Sequence, residues 1–186
     1  MHLIPLKSDT GISIVPVVVE HAEALALLVQ QNAEYLFQYL PALSALSSAE
    51  VARTHLLTAV EQASTSEIFE WHIFVDDTLC GAIRLRDIDE GDRKAKIGYF
   101  IARTFSGRGI VTSAVRTVLA HCFGELKLNR IELRFAAGNE ASKRVAERLG
   151  FVREGVLRQE EFLNGVFVDQ HVYGLLSRDF AVPAQS

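Results

Sequence analysis

The chain has 186 residues, enough for one well-buried core and short for two. With 49% hydrophobic and 23% charged residues it has the composition of an ordinary globular protein, which excludes a disordered chain. A formal net charge of −4, no block of Lys/Arg and no apolar run near the ~20 residues of a bilayer span argue against nucleic acid and membrane as partners.

The start of the chain lacks a basic segment followed by a long apolar one, so a cytoplasmic protein is expected. Cys80 and Cys122 each stand in an apolar stretch with no second pair, which reads as buried thiols rather than a metal or disulfide framework, and no metal is expected. Residues 12–18 are β-branched and predict a first strand, with Pro16 marking an edge or a bulge. The spacing of Leu25, Leu28, Val29, Leu36, Phe37 and Leu40 predicts one helix from about His21 to Leu40, closed by Pro41. Ser47 with Glu50 three residues on forms a capping box for a second helix reaching about Ala63.

Residues 68–75, 79–85 and 96–101 predict a three-strand antiparallel meander. From Gly109 to Phe123 the apolar residues follow a 3.6-residue period, so an amphipathic helix begins just after two glycines. Residues 131–135 alternate as a strand. Asn139 then caps a helix whose Leu149-Gly150-Phe151 end predicts a Schellman stop. Asn164-Gly165 is the preferred pair for a type I′ turn between two last strands. A single domain over residues 1–180 with a frayed tail over 181–186 is expected.

The run FIARTFSGRGIVT at 100–112 passes from strand to helix through Gly107 and Gly109. Glycine permits unusual backbone angles, and the first helical N–H groups have no internal partner. Together with the helix dipole they form an anion site suited to a pyrophosphate, to which Arg108 adds charge. A simple tight loop is the competing reading. A P-loop and a dinucleotide fingerprint both fail, the latter because Thr112 stands where a third Gly or Ala is needed.

The order of elements and these residues resemble the GNAT N-acetyltransferase superfamily over nearly the whole chain. Its Q/R-x-x-G-x-G/A turn maps onto Ser106, Gly107, Arg108, Gly109, Ile110 and Val111, with Ser106 and Val111 departing from the pattern. The run NEASKRVAERLGFVREG at 139–155 is similar to the N-x-x-S…GF-x-x-E-G pattern of the ribosomal-protein N-acetyltransferase branch. The resemblance implies an α/β (α+β) acyltransferase fold, with a mixed, mostly antiparallel sheet and helices on both faces. It also implies acetyl-CoA as cosubstrate.

On the same basis the strand at 97–101 splays from its neighbour, with Phe100 and Ile101 along the pantetheine arm and an amide near Phe100 polarising the thioester. By the resemblance, Asn139 bonds the pantetheine and Ser142 donates to the leaving thiolate, and no tyrosine occupies a matching position nearby. Helix capping is the competing role for both. Glu160 and Glu161 point to opposite faces of one strand and periodicity leaves the choice open. The family's E-x-L-N-G segment favours Glu161 as base, and His72 is a rival.

Asn32, Tyr35 and Tyr39 are expected to border the acceptor groove. The acceptor implied is a primary amine, foremost the N-terminal α-amine of a ribosomal or other protein. A small amine such as an aminoglycoside or polyamine, or a non-catalytic CoA-binding module, stands as alternative, and a homodimer is allowed.

Overall fold

The computed structural model describes residues 5–7 and 12–181. They form one eight-stranded sheet in the order β1-β2-β3-β4-β5-β6-β8-β7. The strands are β1 (Leu6–Lys7), β2 (Ser13–Pro16), β3 (Phe69–Val75), β4 (Thr78–Asp89), β5 (Lys94–Ile101), β6 (Arg130–Ala136), β7 (Val152–Leu163) and β8 (Val166–Leu176). All neighbours are antiparallel except β5 and β6. The parallel pair follows from the connection, because α4 (Ile110–Gly124) must carry the chain back before β6 can start.

Helices cover both faces, as expected. β3 is buried along most of its length, and its alternation divides two cores. Phe69, Trp71 and Ile73 join the cluster under α4 and α5 (Glu140–Arg148), where Trp71 meets His121 edge-on at 6.2 Å. Glu70 and His72 point the other way, toward α1 (Ala22–Gln31) and α3 (Ala49–Ser64), whose Leu25, Leu28, Val29 and Leu56 form a second core. Pro16 pairs with Trp71 on one side, and among the described residues β1 pairs no further along β2 than Ile14, so no described ladder bond needs the missing N–H.

Two local expectations shift. The first helix is not continuous: Asn32 leaves helical geometry at φ −120° and ψ 17°, and a short α2 (Ala33–Phe37) follows. Pro41 opens a run of 3-10 turns, Pro41–Ser47, and Ser48 rather than Ser47 caps α3, accepting from Val51 N at 3.5 Å. Ser47 instead offers its carbonyl to Gln30 Nε2 at 2.6 Å.

Elsewhere local chemistry prevails. Phe151 N bonds Ala146 O at 3.0 Å and Gly150 N bonds Glu147 O at 3.1 Å, with Gly150 at φ 84°, which is the Schellman pattern. Asn164 and Gly165 both have positive φ, 50° and 91°, as a type I′ turn requires. Of the expected tail, Ala181 is exposed coil and residues 182–186 lie outside the described residues.

Candidate active site

Beyond Ile97 the strands β5 and β6 part. Their pairing runs from Lys94↔Arg130 to Ile97↔Leu133 and stops, although β5 continues to Ile101 and β6 to Ala136. On its other edge β5 stays joined to β4, with Ala102 N donating to Cys80 O at 2.7 Å. Bonded and non-bonded positions alternate along an antiparallel pair, so Phe100 also turns its N–H and C=O toward β4. A Cβ on Gly81 would run into the Phe100 carbonyl oxygen, which places that oxygen on the β4 side. The backbone groups facing the opening therefore belong to Tyr99 and Ile101. Phe100 lines the cleft, but the amide available near it is a neighbour's.

The chain enters α4 through Gly107 at φ 76° and Gly109 at φ 80°. Nothing lies within 4 Å of where their Cβ atoms would stand, so glycine is required here by the backbone angle and not by crowding. Gly109 is the N-cap and provides no side-chain bond, leaving the first amides of α4 without an internal acceptor. Ser106, Gly107, Gly109, Ile110, Val111 and Thr112 line one cleft together with Phe100, Ile101, Asn139 and Ser142. Arg108 lies outside that lining, its guanidinium 5.7 Å from the Phe105 ring centre.

Asn139 does cap α5: its Oδ1 accepts from Ser142 N at 3.1 Å. Capping occupies only the oxygen, so the side-chain amide N–H groups are left for a ligand. Beside Ser142 stands a residue that sequence reasoning missed. Tyr99 lines the cleft and its Oη lies 3.5 Å from the Ser142 carbonyl oxygen. Burial pushes its phenol above the ordinary range, partly offset by that contact, so it stays protonated at neutral pH. A tyrosine is thus near Ser142 after all. The signal was its alternation with Ile97 and Ile101, two residues of the buried core.

Asn32, Tyr35 and Tyr39 do more than pack. Asn32 Oδ1 accepts from Arg103 N at 2.8 Å while its Nδ2 donates to Leu28 O at 2.8 Å. Tyr35 Oη reaches Ser106 Oγ at 3.2 Å, and Tyr39 Oη donates to Gly138 O at 2.9 Å. Tyr35 and Tyr39 line the cleft, which Asn32 does not. Asn164 Nδ2, at the hairpin tip, contacts the carbonyls of Phe37 and Gln38 at 3.3 and 3.0 Å. The α1–α2 segment therefore spans the splay and is tied to all three elements around it.

Glu161 does not line that cleft. Its register partner is Val168, and its Oε2 accepts from Gln170 Nε2 at 2.9 Å. Phe135, Tyr173 and Leu175 face the α4–α5 core, so Gln170, Val168 and Glu161 face the opposite, open side of β6–β8. A bulge at residues 158–160, opposite Asp169, preserves that parity because two residues are inserted.

The other carboxylates of this face are ion-paired, Glu160 among them, because the bulge turns it to the same face as Glu161 and not to the opposite one that simple alternation predicts. Glu132 meets Arg130 and Arg134 at 3.3 and 2.7 Å, Glu154 meets Arg130 at 2.5 Å, and Glu160 meets Arg134 at 3.6 Å. Among the described residues Glu161 has only a neutral amide. His72 is no rival: it is fully buried, its Nδ1 is 2.9 Å from His21 Nδ1, and burial lowers its pKa to about 4.

The open strand edge and the uncapped helix start fit a long extended ligand with a pyrophosphate, as coenzyme A has. Comparison with known proteins agrees. Residues 12–152 match the family model described as an acetyltransferase (GNAT) domain. The chain is 39% identical to YdaF of Bacillus subtilis, provisionally named a ribosomal N-acetyltransferase, over 86% of this chain and 87% of that protein. It is 29% identical to the ribosomal-protein-serine acetyltransferase of Escherichia coli, over 90% of this chain and 94% of that one. Among solved structures, RimL, a ribosomal L7/L12 alpha-N-protein acetyltransferase in complex with coenzyme A, superimposes with a TM-score of 0.89 at 26% identity, covering 92% and 97% of the two chains. The chain belongs to the GNAT family and is an acetyl-CoA-dependent N-acetyltransferase.

Proposed function

We propose that the acceptor is the N-terminal α-amine of a ribosomal or other protein, with Glu161 as the base and Ser142 as proton donor to the leaving sulfur. The observation that carries this reading is Glu161 itself, a carboxylate on the open face of the sheet with no cationic partner among the described residues. It stands beyond the end of β6, whose last register pair is Ala136↔Gln170, one same-face step further along β8 at Val168. Acetyl-CoA supplies an activated thioester. Glu161 takes the proton of the attacking amine, directly or through a water, while the Ser142 hydroxyl supplies one where the C–S bond breaks. Tyr99 and Ile101 offer backbone N–H groups along the splay for the developing oxyanion.

An α-amine has a pKa near ~7.7–8.0 and a lysine near ~10.4, a difference of roughly 3.5 kcal/mol at 1.36 per unit. A single carboxylate suits the first. The names of the relatives RimL and the Escherichia coli enzyme support the same acceptor class.

The test measures thiol release from acetyl-CoA with a Ser-starting peptide, the same peptide with a blocked N-terminus and an internal lysine, and spermidine. The free α-amine is expected to be fastest, with Glu161→Gln lowering kcat by about 10²–10⁴. Equal rates for the blocked peptide or for spermidine would overturn the acceptor, and a wild-type rate in Glu161→Gln would overturn the base.

A further inference from the structure

The chain carries 23 acidic and 19 basic residues, yet the cleft lined by the glycine turn includes Arg144 and Arg148 and no carboxylate. Both arginines are on α5, one turn apart, and so share a face. Neither has an ion-pair partner among the described residues. The nearest acid on that helix with a cation, Glu140, engages Lys143 instead, at 3.7 Å. Arg116, one turn along α4 from Thr112, crosses to the same end of α5 and donates from Nη2 to the Arg148 carbonyl at 3.4 Å. Two guanidinium groups, those of Arg144 and Arg148, thus stand at the cleft with no ion-pair partner among the described residues, and Arg116 reaches the same end of α5 from outside the lining.

Position along α5 says which part of a ligand they meet. Ser142 is at the end assigned to the sulfur, and Arg148 lies six residues on, roughly 9 Å further along the axis. The first turn of α4 already provides backbone amides for the pyrophosphate. A second, separate anion is what the remaining arginines fit.

We propose that Arg144 and Arg148, assisted by Arg116, bind the 3′-phosphate on the ribose of the cofactor. They thereby restrict the donor to free acyl-CoA, against thioesters carried on pantetheine that lack that phosphate. The inference rests on the reading that this cleft holds the cofactor. A phosphate dianion takes bidentate, charge-assisted bonds from arginine, and a ligand without it leaves Arg144 and Arg148 without an anion.

The test is calorimetric titration of CoA and of 3′-dephospho-CoA into wild type, into Arg144→Gln/Arg148→Gln, and into the exposed charge-matched control Arg53→Gln/Arg93→Gln. Wild type and control are expected to bind CoA at least about tenfold tighter than the dephospho form at low salt, a margin that shrinks as salt rises. The Arg144/Arg148 variant is expected to bind the two equally, with its affinity for 3′-dephospho-CoA unchanged. No discrimination by wild type would overturn the proposal. So would an equal weakening of both ligands in the variant, since that would put the arginines on the pyrophosphate. If wild type bound neither ligand, the cleft would not be the cofactor site, and that separate failure would be recognised by its own pattern.

Discussion

His72 and Glu70 are buried polar side chains on the α1–α3 side of β3, and both are set by neighbours distant in sequence. Burial lowers the imidazole from its ordinary 6.5 to about 4, the nearby Glu70 charge opposing it only in part. Burial pushes Glu70 up, but the hydrogen bond from His55 and the charges of His55 and Arg84 outweigh it and hold the carboxyl below its usual range. A histidine that stays neutral in the fold but takes a proton when unfolded makes stability fall as pH drops from 6.5 toward 4, and the Glu70 shift has the same sign. The part due to His72 alone is roughly 3 kcal/mol. Thermal melts between pH 7 and 4 should therefore show a steep loss of Tm that His72→Gln flattens. An unchanged slope in that variant would show that the burial of His72 is not its cause.

At the scale of elements, the α4 start and the α1–α2 strap make the cleft. A β-branched residue at Gly109 must adopt a φ that L side chains avoid, even though the space is open. Gly109→Val should weaken CoA binding by about tenfold or more through distortion of the amide row, with far-UV circular dichroism unchanged, and an unaltered Kd would refute the cradle. Tyr39→Phe removes one hydrogen bond, to the carbonyl next to Asn139. That loss should cost about 1 kcal/mol of stability and, by loosening the start of α5, raise the KM for acetyl-CoA several-fold. A KM identical to wild type would mean that the strap does not position α5.

At the scale of the molecule, the sheet is held together across its splay by side chains rather than by strand pairing. Asn164 is the link between the β7–β8 hairpin and α2, touching two carbonyls at once. Asn164→Ala should free the hairpin tip on the acceptor side, raising the KM for the peptide several-fold while leaving that for acetyl-CoA unchanged. The opposite split would place the hairpin with the cofactor.

Much of this was legible from the sequence because it rests on short-range chemistry. The Schellman stop at Gly150, the cap at Asn139, the type I′ turn at Asn164-Gly165 and the amphipathic period of α4 depend on backbone sterics and bonds within a few residues. What only the tertiary structure decided depends on partners far apart in the chain. Asn32 breaks the first helix and bonds Arg103, 71 residues away, Tyr39 reaches Gly138 across 99, and Asn164 reaches Phe37 across 127. The facing of Glu161 follows from a bulge and from register with β8, and Tyr99 comes beside Ser142 only because β5 and β6 separate after Ile97. No local pattern encodes those choices, because each is made by the fit of whole faces and by which backbone groups are left unpaired when the sheet opens.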